Sequence, residues 1–454
     1  MSTSGGNGRR TVREDDALPA PPSISCPPDK SLTHRALIFA SLAKGRSEIT
    51  DPLLGDDCLS TMDCFRKLGV HASLHQPEGK LPSILVDSPG WTGLKSPDVP
   101  LNFGNSGTTA RLLTGVFAAT PGLFVTAFGD SSLSSRPMGR VVEPLRRCGA
   151  KISGRRDGNL LPLAIEGGDL KAGAHVVDKA SAQVKSALLL AGMGSQGLTQ
   201  ITLPSENRDH TEKLLIAAGA PITIDHTKEG VEHITLKGPY HVAPGDYLVP
   251  GDPSSAAFLV VMALLQPDKK LTITNILDNT TRLGFLAVLK QMNASLTCAP
   301  EPNRPGLMES TLSLTVSGGF ALSPVDISPA LAPTYIDEVP IMAVAAMFAS
   351  GSSRFRGLDE LRVKESDRLA MTAKLLVTAS GDPEAAKIEG DDLFVKGSLK
   401  KVVPFQFDPD GDHRLAMAAG VLSRLTQSPC VIKGPECVKV SFPDFFNVIT
   451  SIST

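Results

Sequence analysis

Residues 141–154 read VVEPLRRCGAKISG, which predicts an amphipathic helix that ends at Gly149 and passes directly into a strand. Glycine suits this junction because the residue after a helix often takes left-handed backbone angles, which glycine adopts without strain. The strand alternates apolar and polar side chains, and LPLAIEG at 161–167 predicts a second strand with the same pattern. One helix followed by two strands is therefore a complete structural unit.

This unit recurs along the chain. The other copies are CLSTMDCFRKLGVHASL at 58–74, DHTEKLLIAAGAPITI at 209–224, TRLGFLAVLKQMNASLTC at 281–298 and RLAMTAKLLVTASG at 368–381. Their junction residues are Gly69, Gly149, Gly219, Asn293 and Gly381, at intervals of 70–88 positions. Ordinary α/β proteins also contain such joints, but here a second strand follows each of the five. A period of about 75 residues predicts about six units, arranged as a globular α/β assembly of repeated subdomains and not as an open solenoid.

The composition is that of a globular protein with many turns. Of 454 residues, 45 are Lys or Arg, 47 are Asp or Glu, and 41% are apolar. This balance excludes a disordered chain and a strongly basic nucleic-acid-binding protein. The chain has 41 Gly and 35 Pro but only 17 Phe, 3 Tyr and 1 Trp, which indicates many short elements around an aliphatic core.

Cysteine spacing and apolar runs indicate the cellular setting. The seven cysteines form no C-x-x-C pair, so we expect reduced thiols and neither a disulfide framework nor a metal cluster. The longest apolar runs, at 256–265 and 341–349, are shorter than the ~18 residues that span a bilayer, so we expect no membrane partner. Residues 1–22 lack the apolar region of a secretory signal, and we expect a disordered tail on a cytoplasmic protein.

Compact polar clusters stand immediately before the helices of four units: SSRP at 134–137, NRDHT at 207–211, NTTR at 279–282 and KESDR at 364–368. The first N–H groups of a helix have no partner within the helix and lie at the positive end of its dipole. An adjacent Arg or Lys completes an anion site there. Several such ends converging in one cleft would bind a small molecule with several negative charges.

Two further segments could contact an anionic ligand. In PDKSLTHRAL, a helix that starts near Lys30 would place Ser31 and Arg35 on one face. FGNSGTTAR lacks the Gly-Lys-Ser/Thr ending of a nucleotide-binding loop, but Gly107 would allow close backbone approach and Thr108 would supply a hydroxyl. Each segment alone is also compatible with an ordinary solvated helix start or a capped turn.

Three more segments carry donors or carboxylates at helix starts. SAQVKS would present Ser181 and Gln183, and DHRLAM would add Arg414. Asp337 and Glu338 precede the apolar helix VPIMAVAAMFA, where they could complement the helix dipole or hold a general base near a substrate hydroxyl.

Together and in this order, ten segments resemble the 5-enolpyruvylshikimate-3-phosphate (EPSP) synthase family, from about Ser25 to the C-terminus. The segments are DKSLTHRAL, FGNSGTTARL, SSRPMGRV, ASAQVKSALLLAG, RDHTEKLL, GDPSSAAF, IDEVPIMAVAA, LRVKESDRL, GDHRLAMA and SFPDFF. Each is weak alone, and ten collinear ones are specific. ASAQVKS and RDHTEK are similar to the second, bacterial-type class, in which Ala182 stands where other members have a second Ser.

The resemblance implies an inside-out α/β fold of two domains, each built from three βαβαββ units, with the active site in the cleft between them. The chain would cross between the domains twice, near Lys30 and Asp252. Domain I would then comprise residues 23–29 and 252–454, and domain II residues 30–251. This agrees with the count of about six units from the repeats, and we expect a monomer.

The reaction that the resemblance implies belongs to the shikimate pathway. The enolpyruvyl group of phosphoenolpyruvate is transferred to the 5-hydroxyl of shikimate-3-phosphate, and phosphate is released through a tetrahedral addition product. Both substrates carry phosphate and carboxylate groups, so the site needs several cations and helix N-termini. No metal and no organic cofactor is implied, because C2 of phosphoenolpyruvate becomes electrophilic once C3 is protonated.

The family's site residues carry over by position. Asp337 would accept the proton of the attacking hydroxyl, Lys364 would orient that hydroxyl, and Glu365 or Lys30 would deliver a proton to the methylene carbon. Shikimate-3-phosphate would be bound by Lys30, Ser31, Arg35, Ser181, Ala182, Gln183, Arg208, Asp337 and Lys364. Phosphoenolpyruvate would be bound by Lys30, Gly107, Thr108, Arg136, Gln183, Arg368 and Arg414.

Two positions bear on ligand specificity. Many members have Lys just before the Ser-Phe-Pro string, where this chain has Val440, with Lys439 one place earlier. A shift of one residue on a strand reverses the face, so we do not assign Lys439 to the site. Members that are insensitive to glyphosate can have Ala at the position of Gly107. Glycine leaves room for this inhibitor in the phosphoenolpyruvate subsite, so we expect sensitivity.

Two alternative functions are disfavoured. The related enolpyruvyl transferase that acts on UDP-N-acetylglucosamine would have Lys-Asn in place of Lys30-Ser31 and a reactive Cys in a loop before Arg-Pro, where this chain has SSRP. A non-catalytic repeat protein that binds phosphate or nucleic acid would ordinarily be strongly positive, whereas the formal net charge here is -2.

Overall fold

A computed structural model describes residues 21–178, 181–426 and 429–453. Positions 1–20 of the expected disordered tail lie outside the described residues. Up to residue 251, the strands and α-helices are β1 Ser23–Ser25, α1 Lys30–Leu42, β2 Lys44–Thr50, α2 Asp56–Lys67, β3 His71–His75, β4 Ser83–Pro89, β5 Leu101–Asn102, α3 Gly107–Ala118, β6 Phe124–Phe128, α4 Gly139–Arg147, β7 Lys151–Arg155, β8 Leu160–Glu166, β9 Ala174–Val176, α5 Ala182–Gly194, β10 Gly197–Leu203, α6 His210–Ala217, β11 Ile222–His226, β12 Glu232–Gly238 and β13 Asp246–Leu248.

The second part of the chain continues the same pattern. Its elements are α7 Pro253–Leu264, β14 Lys270–Leu277, α8 Gly284–Gln291, β15 Ser295–Pro300, β16 Thr311–Ser317, β17 Asp326–Ile327, α9 Ala332–Tyr335, α10 Val339–Met347, β18 Ser353–Phe355, α11 Arg368–Ser380, β19 Ala386–Glu389, β20 Asp392–Val395, β21 Gln406–Phe407, α12 His413–Arg424, β22 Val431–Ile432 and α13 Phe445–Ser453. Short 3-10 helices cover Trp91–Gly93, Leu133–Ser135, Thr280–Arg282, Pro329–Leu331, Ile336–Glu338, Asp359–Val363 and Pro435–Val440.

The repeated helix–strand–strand unit is confirmed at all five predicted places. Helices α2, α4, α6, α8 and α11 each lead into two strands that pair antiparallel. Every junction residue has a positive φ: 95° at Gly69, 97° at Gly149, 79° at Gly219, 58° at Asn293 and 68° at Gly381. Most residues with a Cβ atom are strained in this region, whereas Gly is free of this strain and Asn tolerates it, which explains why Gly or Asn occupies these positions.

Within the described residues, five units complete a four-stranded sheet. In the sheet β5-β6-β8-β7, for example, β5 and β6 are parallel and β6 and β8 are antiparallel. The other orders are β9-β10-β12-β11, β13-β2-β4-β3, β1-β14-β16-β15 and β17-β18-β20-β19. The two-stranded sheet β21-β22 with α12 and α13 forms the last unit. The α/β class and the count of about six units are thus confirmed.

The first and last strands of the segment 23–248, β1 and β13, lie in different sheets. β1 pairs in parallel with β14, which lies beyond residue 251, and β13 pairs in parallel with β2. The connecting segments run side by side, because Asp29 N donates to Pro250 O at 2.8 Å and Asp252 N donates to Pro27 O at 2.7 Å. The chain therefore passes twice between its two halves at a single place.

The described residues form two separate hydrophobic cores. One consists of residues between 32 and 249 together with Leu277, and the other of Cys26 with residues between 256 and 452. Helices α7 and α10 are buried along their whole length, whereas the sheets expose one face. In the described part of the chain, one helical run, Pro329–Met347, is long and apolar enough to cross a bilayer, longer than the sequence indicated. It is 72% buried, as the central helix of a globular core would be.

Candidate active site

Helix N-termini from both halves of the chain converge on one cavity of about 510 Å³. The first residues of α1, α3, α5, α6 and α12 all lie in its wall. The positive ends of these helix dipoles therefore face the cavity. Among the described residues, nine Lys and Arg side chains and six carboxylates line it. This excess of positive charge suits an anionic ligand.

The structure brings most of the predicted site residues to this wall. They are Lys30, Ser31, Arg35, Gly107, Thr108, Arg136, Ser181, Ala182, Gln183, Arg208, Asp337, Lys364, Glu365 and Arg414. Arg368 does not line the cavity, because its guanidinium is fully buried behind three carboxylates. Its Nη1 lies 3.1 Å from Asp337 Oδ1, its Nε lies 2.8 Å from Asp412 Oδ2, and Nη2 donates to Glu365.

Asp337 belongs to the 3-10 helix Ile336–Glu338, and its carboxylate is surrounded by cations from other segments. Arg208 Nη2 is 2.5 Å from Oδ2, while Lys364 Nζ is 3.3 Å from Oδ1. Burial raises the pKa of this carboxyl, but Lys364, Arg208 and the other nearby cations outweigh burial and hold the pKa well below its usual value. Asp337 is therefore an ionised carboxylate at neutral pH.

Lys30 is the first residue of α1 and faces a carboxylate from α2. Its Nζ is 3.2 Å from Asp57 Oδ2, and the two side chains are 15% and 6% exposed. Burial lowers the pKa of Lys30, but the carboxylates of Asp57 and Glu365 outweigh this effect and the pKa lies above its usual value. The ammonium group therefore carries its proton at neutral pH.

Glu365 connects the two halves of the cavity wall. Its carboxylate accepts a hydrogen bond from Arg368 and lies 4.0 Å from Arg136 Nη1, and its backbone oxygen accepts Ser132 Oγ at 3.0 Å. Burial raises the pKa of Glu365, but Arg368 and the surrounding cations hold the pKa well below its usual value. Glu365 is therefore ionised and must take up a proton before it can donate one.

A wall of neutral donors and guanidinium groups surrounds Gly107. Arg111 Nη1 donates to Gln183 Oε1 at 2.6 Å, and Gln183 Nε2 donates to Thr108 Oγ1 at 3.1 Å. A Cβ atom on Gly107 would lie 2.8 Å from Arg111 Nη1 and 3.6 Å from Arg136 Nη1. The missing side chain at Gly107 thus leaves Arg111 undisturbed in its contact with Gln183.

Arg35 ties three helices together beneath this wall. Its Nε donates to Thr211 Oγ1 and its Nη2 donates to Ser186 Oγ, both at 2.8 Å, while Nη1 donates to Ser31 O at 3.0 Å. These bonds join α1, α5 and α6, and the residue is only 4% exposed. Arg35 therefore fixes the positions of the helix starts as well as facing the cavity.

Several charged groups in the wall were not predicted. Arg140 Nη1 and Glu360 Oε1 form an ion pair of 2.8 Å between the two halves, and Arg111 and Asp57 also line the cavity. Arg111 had a signal, since it stands four residues after Gly107 and so on the same face of α3. No feature of the sequence indicated Asp57, because an acidic residue in the first turn of a helix is common and its partner, Lys30, lies 27 residues away.

Lys439 lies exposed on the 3-10 helix Pro435–Val440 and does not line the cavity. Leaving it out of the site agrees with the structure. The reason given from the sequence was wrong, because the segment is a 3-10 helix and not a strand, so no face is reversed.

Among the residues that the structure describes, one group of potential metal ligands lies beside the cavity. Atoms of Asp209, His210 and Glu309 come within 4.8 Å of one another. Lys213 Nζ already lies 3.2 Å from Asp209 and 3.1 Å from Glu309, and Arg282 Nη1 lies 3.0 Å from His210 Nε2. Because cations of the protein occupy the group, we interpret it as an ion-pair network.

Solved structures share this fold. An EPSP synthase from Acinetobacter baumannii superimposes with a TM-score of 0.79 and 34% identity, covering 95% of each chain. The enolpyruvyl transferase NikO from Streptomyces tendae gives a TM-score of 0.70 at 16% identity, covering 96% of this chain and 95% of that one, which shows likeness of fold alone. The fold and the basic cavity together define an enolpyruvyl transferase.

Comparison of sequences identifies the family. A family model described as EPSP synthase (3-phosphoshikimate 1-carboxyvinyltransferase) matches residues 21–449. Proteins named 3-phosphoshikimate 1-carboxyvinyltransferase from Pelotomaculum thermopropionicum and Bacillus cereus are 43% and 39% identical over 432 and 431 residues, covering 95% of this chain and 96% of each relative. The chain belongs to the EPSP synthase family. It transfers the enolpyruvyl group of phosphoenolpyruvate to the 5-hydroxyl of shikimate-3-phosphate, and the predicted function is confirmed.

Proposed function

We propose that the cavity is the active site of this transferase, with shikimate-3-phosphate on the side of α1, α5 and α6 and phosphoenolpyruvate on the side of α3, Arg136 and α12. The observation that carries this proposal is the convergence of helix N-termini and cations on one cavity whose wall includes the ionised Asp337. Two substrates that each carry phosphate and carboxylate need such an arrangement.

Shikimate-3-phosphate is bound by groups from both halves of the chain. They are Lys30, Ser31, Arg35, Ser181, Ala182, Gln183, Arg208, Asp337 and Lys364. The phosphate faces the start of α5, where Ser181 to Gln183 supply N–H groups and hydroxyl or amide donors, and Arg208 supplies charge. Ser31 and Arg35 at the start of α1 take the ring and its carboxylate.

Phosphoenolpyruvate is bound by Lys30, Gly107, Thr108, Arg136, Gln183 and Arg414. Within the described chain, Arg136 Nε and Arg414 Nη1 are buried and have no hydrogen-bond partner. Buried guanidinium donors need an acceptor, which a phosphate or carboxylate oxygen of the substrate would supply. Arg368, the seventh predicted ligand, would reach the substrate only after Asp337 or Glu365 releases it, and otherwise acts by holding these two carboxylates.

The reaction has two steps. In the addition, C3 of phosphoenolpyruvate gains a proton, the 5-oxygen of shikimate-3-phosphate bonds to C2, and Asp337 accepts the hydroxyl proton. In the elimination, C3 loses a proton, the C2–C3 double bond re-forms, and the bond from C2 to the phosphate oxygen breaks. Arginine and lysine groups around the phosphate stabilise the charge that develops as it leaves.

The base is activated by the substrate. Asp337 is a weak base in the empty site, because the surrounding cations hold its pKa well below the usual value. The anionic groups of shikimate-3-phosphate would share Arg208 and Lys364, and so raise the pKa of Asp337 towards the working pH.

The structure supports Lys30 as the source of the first proton. Lys30 is protonated beside Asp57, whereas Glu365 is ionised and paired with Arg368. Glu365 would then take up the proton that C3 loses in the elimination. In this division the two groups, which both line the cavity, have complementary tasks at the same carbon.

The predicted domain boundaries are part of the same proposal. Domain I comprises 23–29 with 252–454, and domain II comprises 30–251. Two observations support this division: the two cores are separate, and β1 pairs with β14 of domain I whereas β13 pairs with β2 of domain II. We further propose that the enzyme is cytoplasmic, as a biosynthetic enzyme of this family, and acts as a monomer, because groups from both halves of the described chain line the cavity.

Substrate-specific kinetics test the two subsites. Arg208→Lys should raise the KM for shikimate-3-phosphate about tenfold or more, because a hydrogen bond to a charged group contributes about 1.5–3 kcal/mol, with little change in the KM for phosphoenolpyruvate. Arg136→Lys should raise the KM for phosphoenolpyruvate and change the KM for shikimate-3-phosphate little. Arg46→Lys, at an ion pair whose arginine is 89% exposed, is the control and should change neither. The reverse pattern would contradict the assignment.

A further inference from the structure

Arg282 is a buried guanidinium that the proposed reaction does not use. It is the last residue of the 3-10 helix Thr280–Arg282, and its side chain is 2% exposed. A buried charge is costly unless it is paired and hydrogen-bonded. The partners of Arg282 therefore indicate what its position serves.

Two of these partners lie at the crossings between the halves. Arg282 Nη1 donates to Asp29 Oδ2 at 2.9 Å, and Nη2 donates to Asp252 Oδ1 at 2.8 Å. Asp29 caps α1, which begins with Lys30, and Asp252 caps α7. A single guanidinium group thus holds both connecting segments at a fixed separation.

A first branch leads to the proposed shikimate-3-phosphate side. Arg282 Nη1 donates to His210 Nε2 at 3.0 Å, so Nε2 is the acceptor and Nδ1 carries the proton that is donated to Glu309 Oε1 at 2.6 Å. His210 is the first residue of α6 and stands two positions after Arg208, which contacts Asp337. The position of Arg282 therefore influences where Arg208 enters the cavity.

A second branch leads to the proposed phosphoenolpyruvate side. Arg282 Nη2 lies 3.3 Å from Ser254 Oγ, and Ser254 Oγ donates to Glu338 Oε1. The same Glu338 oxygen is 3.9 Å from Nη1 of Arg414. Each of these side chains is buried, so the branch runs through the protein interior, by hydrogen bonds as far as Glu338 and by a longer ion-pair contact from Glu338 to Arg414.

We infer that Arg282 is a positioning residue that couples the two substrate subsites through the chain crossings. The inference rests on the proposed assignment of Arg208 and Arg414 to opposite subsites. The donors of a guanidinium group have a rigid planar geometry, so they cannot keep all four partners if one half of the chain rotates against the other. Occupancy of one subsite then restrains the geometry of the other, so a coupling free energy links the two binding events.

A purely structural role would give the same contacts but a different response to ligands. The distinguishing quantity is the factor by which saturating glyphosate, the probe for the phosphoenolpyruvate subsite, changes the Kd of shikimate-3-phosphate. Loss of a structural contact lowers stability and leaves this factor unchanged. Loss of a coupling contact lowers the factor itself.

Isothermal titration calorimetry of the full chain measures this factor. Arg282→Lys keeps the charge but removes the forked contacts, and we expect the factor to fall at least about fivefold, the lower end of typical allosteric coupling. Leu289→Ala, a core change in α8 that removes none of these bonds, is the control for lost stability and should retain the factor. A folded Arg282→Lys protein with the wild-type factor overturns the inference.

A second variant covers the case in which Arg282→Lys does not fold. Ser254→Ala removes the hydroxyl that joins Arg282 to Glu338 and should also lower the factor, and an unchanged factor overturns the inference. Failure of the subsite assignment is recognised separately. If Arg208→Lys leaves the affinity for shikimate-3-phosphate unchanged, the assignment is wrong, whereas weakened binding in that variant with an unchanged factor in Arg282→Lys refutes the coupling alone.

Discussion

Replacing Gly107 by Ala tests how closely the proposed phosphoenolpyruvate subsite is fitted around its ligand. The new Cβ atom would lie 2.8 Å from Arg111 Nη1 and 3.6 Å from Arg136 Nη1. A Cβ atom essentially never approaches another heavy atom to within 3.0 Å, so the Arg111 side chain must move. Its 2.6 Å hydrogen bond to Gln183 Oε1 would then lengthen or break.

The size of the effect follows from this bond and from the lost space. A hydrogen bond to a charged group contributes about 1.5–3 kcal/mol, and each 1.4 kcal/mol is a factor of ten in an equilibrium constant. Only the part of this free energy that differs between the free and the bound protein changes a binding constant, and the displaced atom is the end of a flexible side chain, so Gly107→Ala should raise the Ki of glyphosate about tenfold. The KM for phosphoenolpyruvate should rise less, because the inhibitor is the ligand expected to use the space beside Gly107.

Steady-state inhibition by glyphosate at fixed shikimate-3-phosphate measures both constants. Alanine favours helix over glycine by about 0.5–1 kcal/mol, which offsets only part of a lost Arg111–Gln183 hydrogen bond, so a denaturant titration must show that the variant is fully folded under the assay conditions. Gly168→Ala is the control, because its Cβ atom would meet no atom within 4 Å. A wild-type Ki in Gly107→Ala, or wild-type turnover that is uninhibited at high glyphosate, would refute the reasoning.

The local geometry at Asp57, Gly149 and Glu309 can be tested by single substitutions. Asp57→Asn removes the carboxylate beside Lys30 and so lowers the pKa of Lys30; the basic limb of the pH–rate profile should move to lower pH and kcat/KM should fall about tenfold or more. Gly149→Ala should lower the free energy of unfolding by about 1–2 kcal/mol in a denaturant titration, because φ is 97°, and Gly149→Asn should lower it by less. Burial raises the pKa of Glu309, but His210 and neighbouring groups outweigh it and lower the pKa from 4.5 to about 2. The ionised Glu309 contributes on the order of 3 kcal/mol to stability, which is present above about pH 4.5 and is lost as the pH falls towards about 2. In Glu309→Gln, the free energy of unfolding should therefore depend less on pH in this acidic range.

The repeating unit could be predicted because its signals are local. A helix, a residue that tolerates positive φ and an alternating strand occupy about twenty consecutive positions, and Gly149 and Asn293 both adopt the expected backbone conformation. The helix starts at Lys30 and Gly107 were predictable for the same reason. Local capping and periodicity therefore suffice for the units and for the anion sites at their ends.

The pairing of charges was not predictable, because it depends on packing between distant segments. Arg368 was expected to contact the substrate, but the fold places it behind Asp337, Glu365 and Asp412. Asp57 contributes to the site only because α2 packs beside α1. β1 and β13 likewise pair with strands that lie more than 190 positions away in the sequence, and no local pattern indicates these pairings.

The central claim is that Asp337 in this cavity is the base for transfer to shikimate-3-phosphate, and phosphate release tests it most directly. The wild-type protein should release phosphate from phosphoenolpyruvate only when shikimate-3-phosphate is present. Asp337→Asn should lower kcat about 10²- to 10⁴-fold. Asp326→Asn, at an exposed ion pair with Arg356, should retain the wild-type rate. No phosphate release by the wild-type protein, or full activity in Asp337→Asn, would contradict the account.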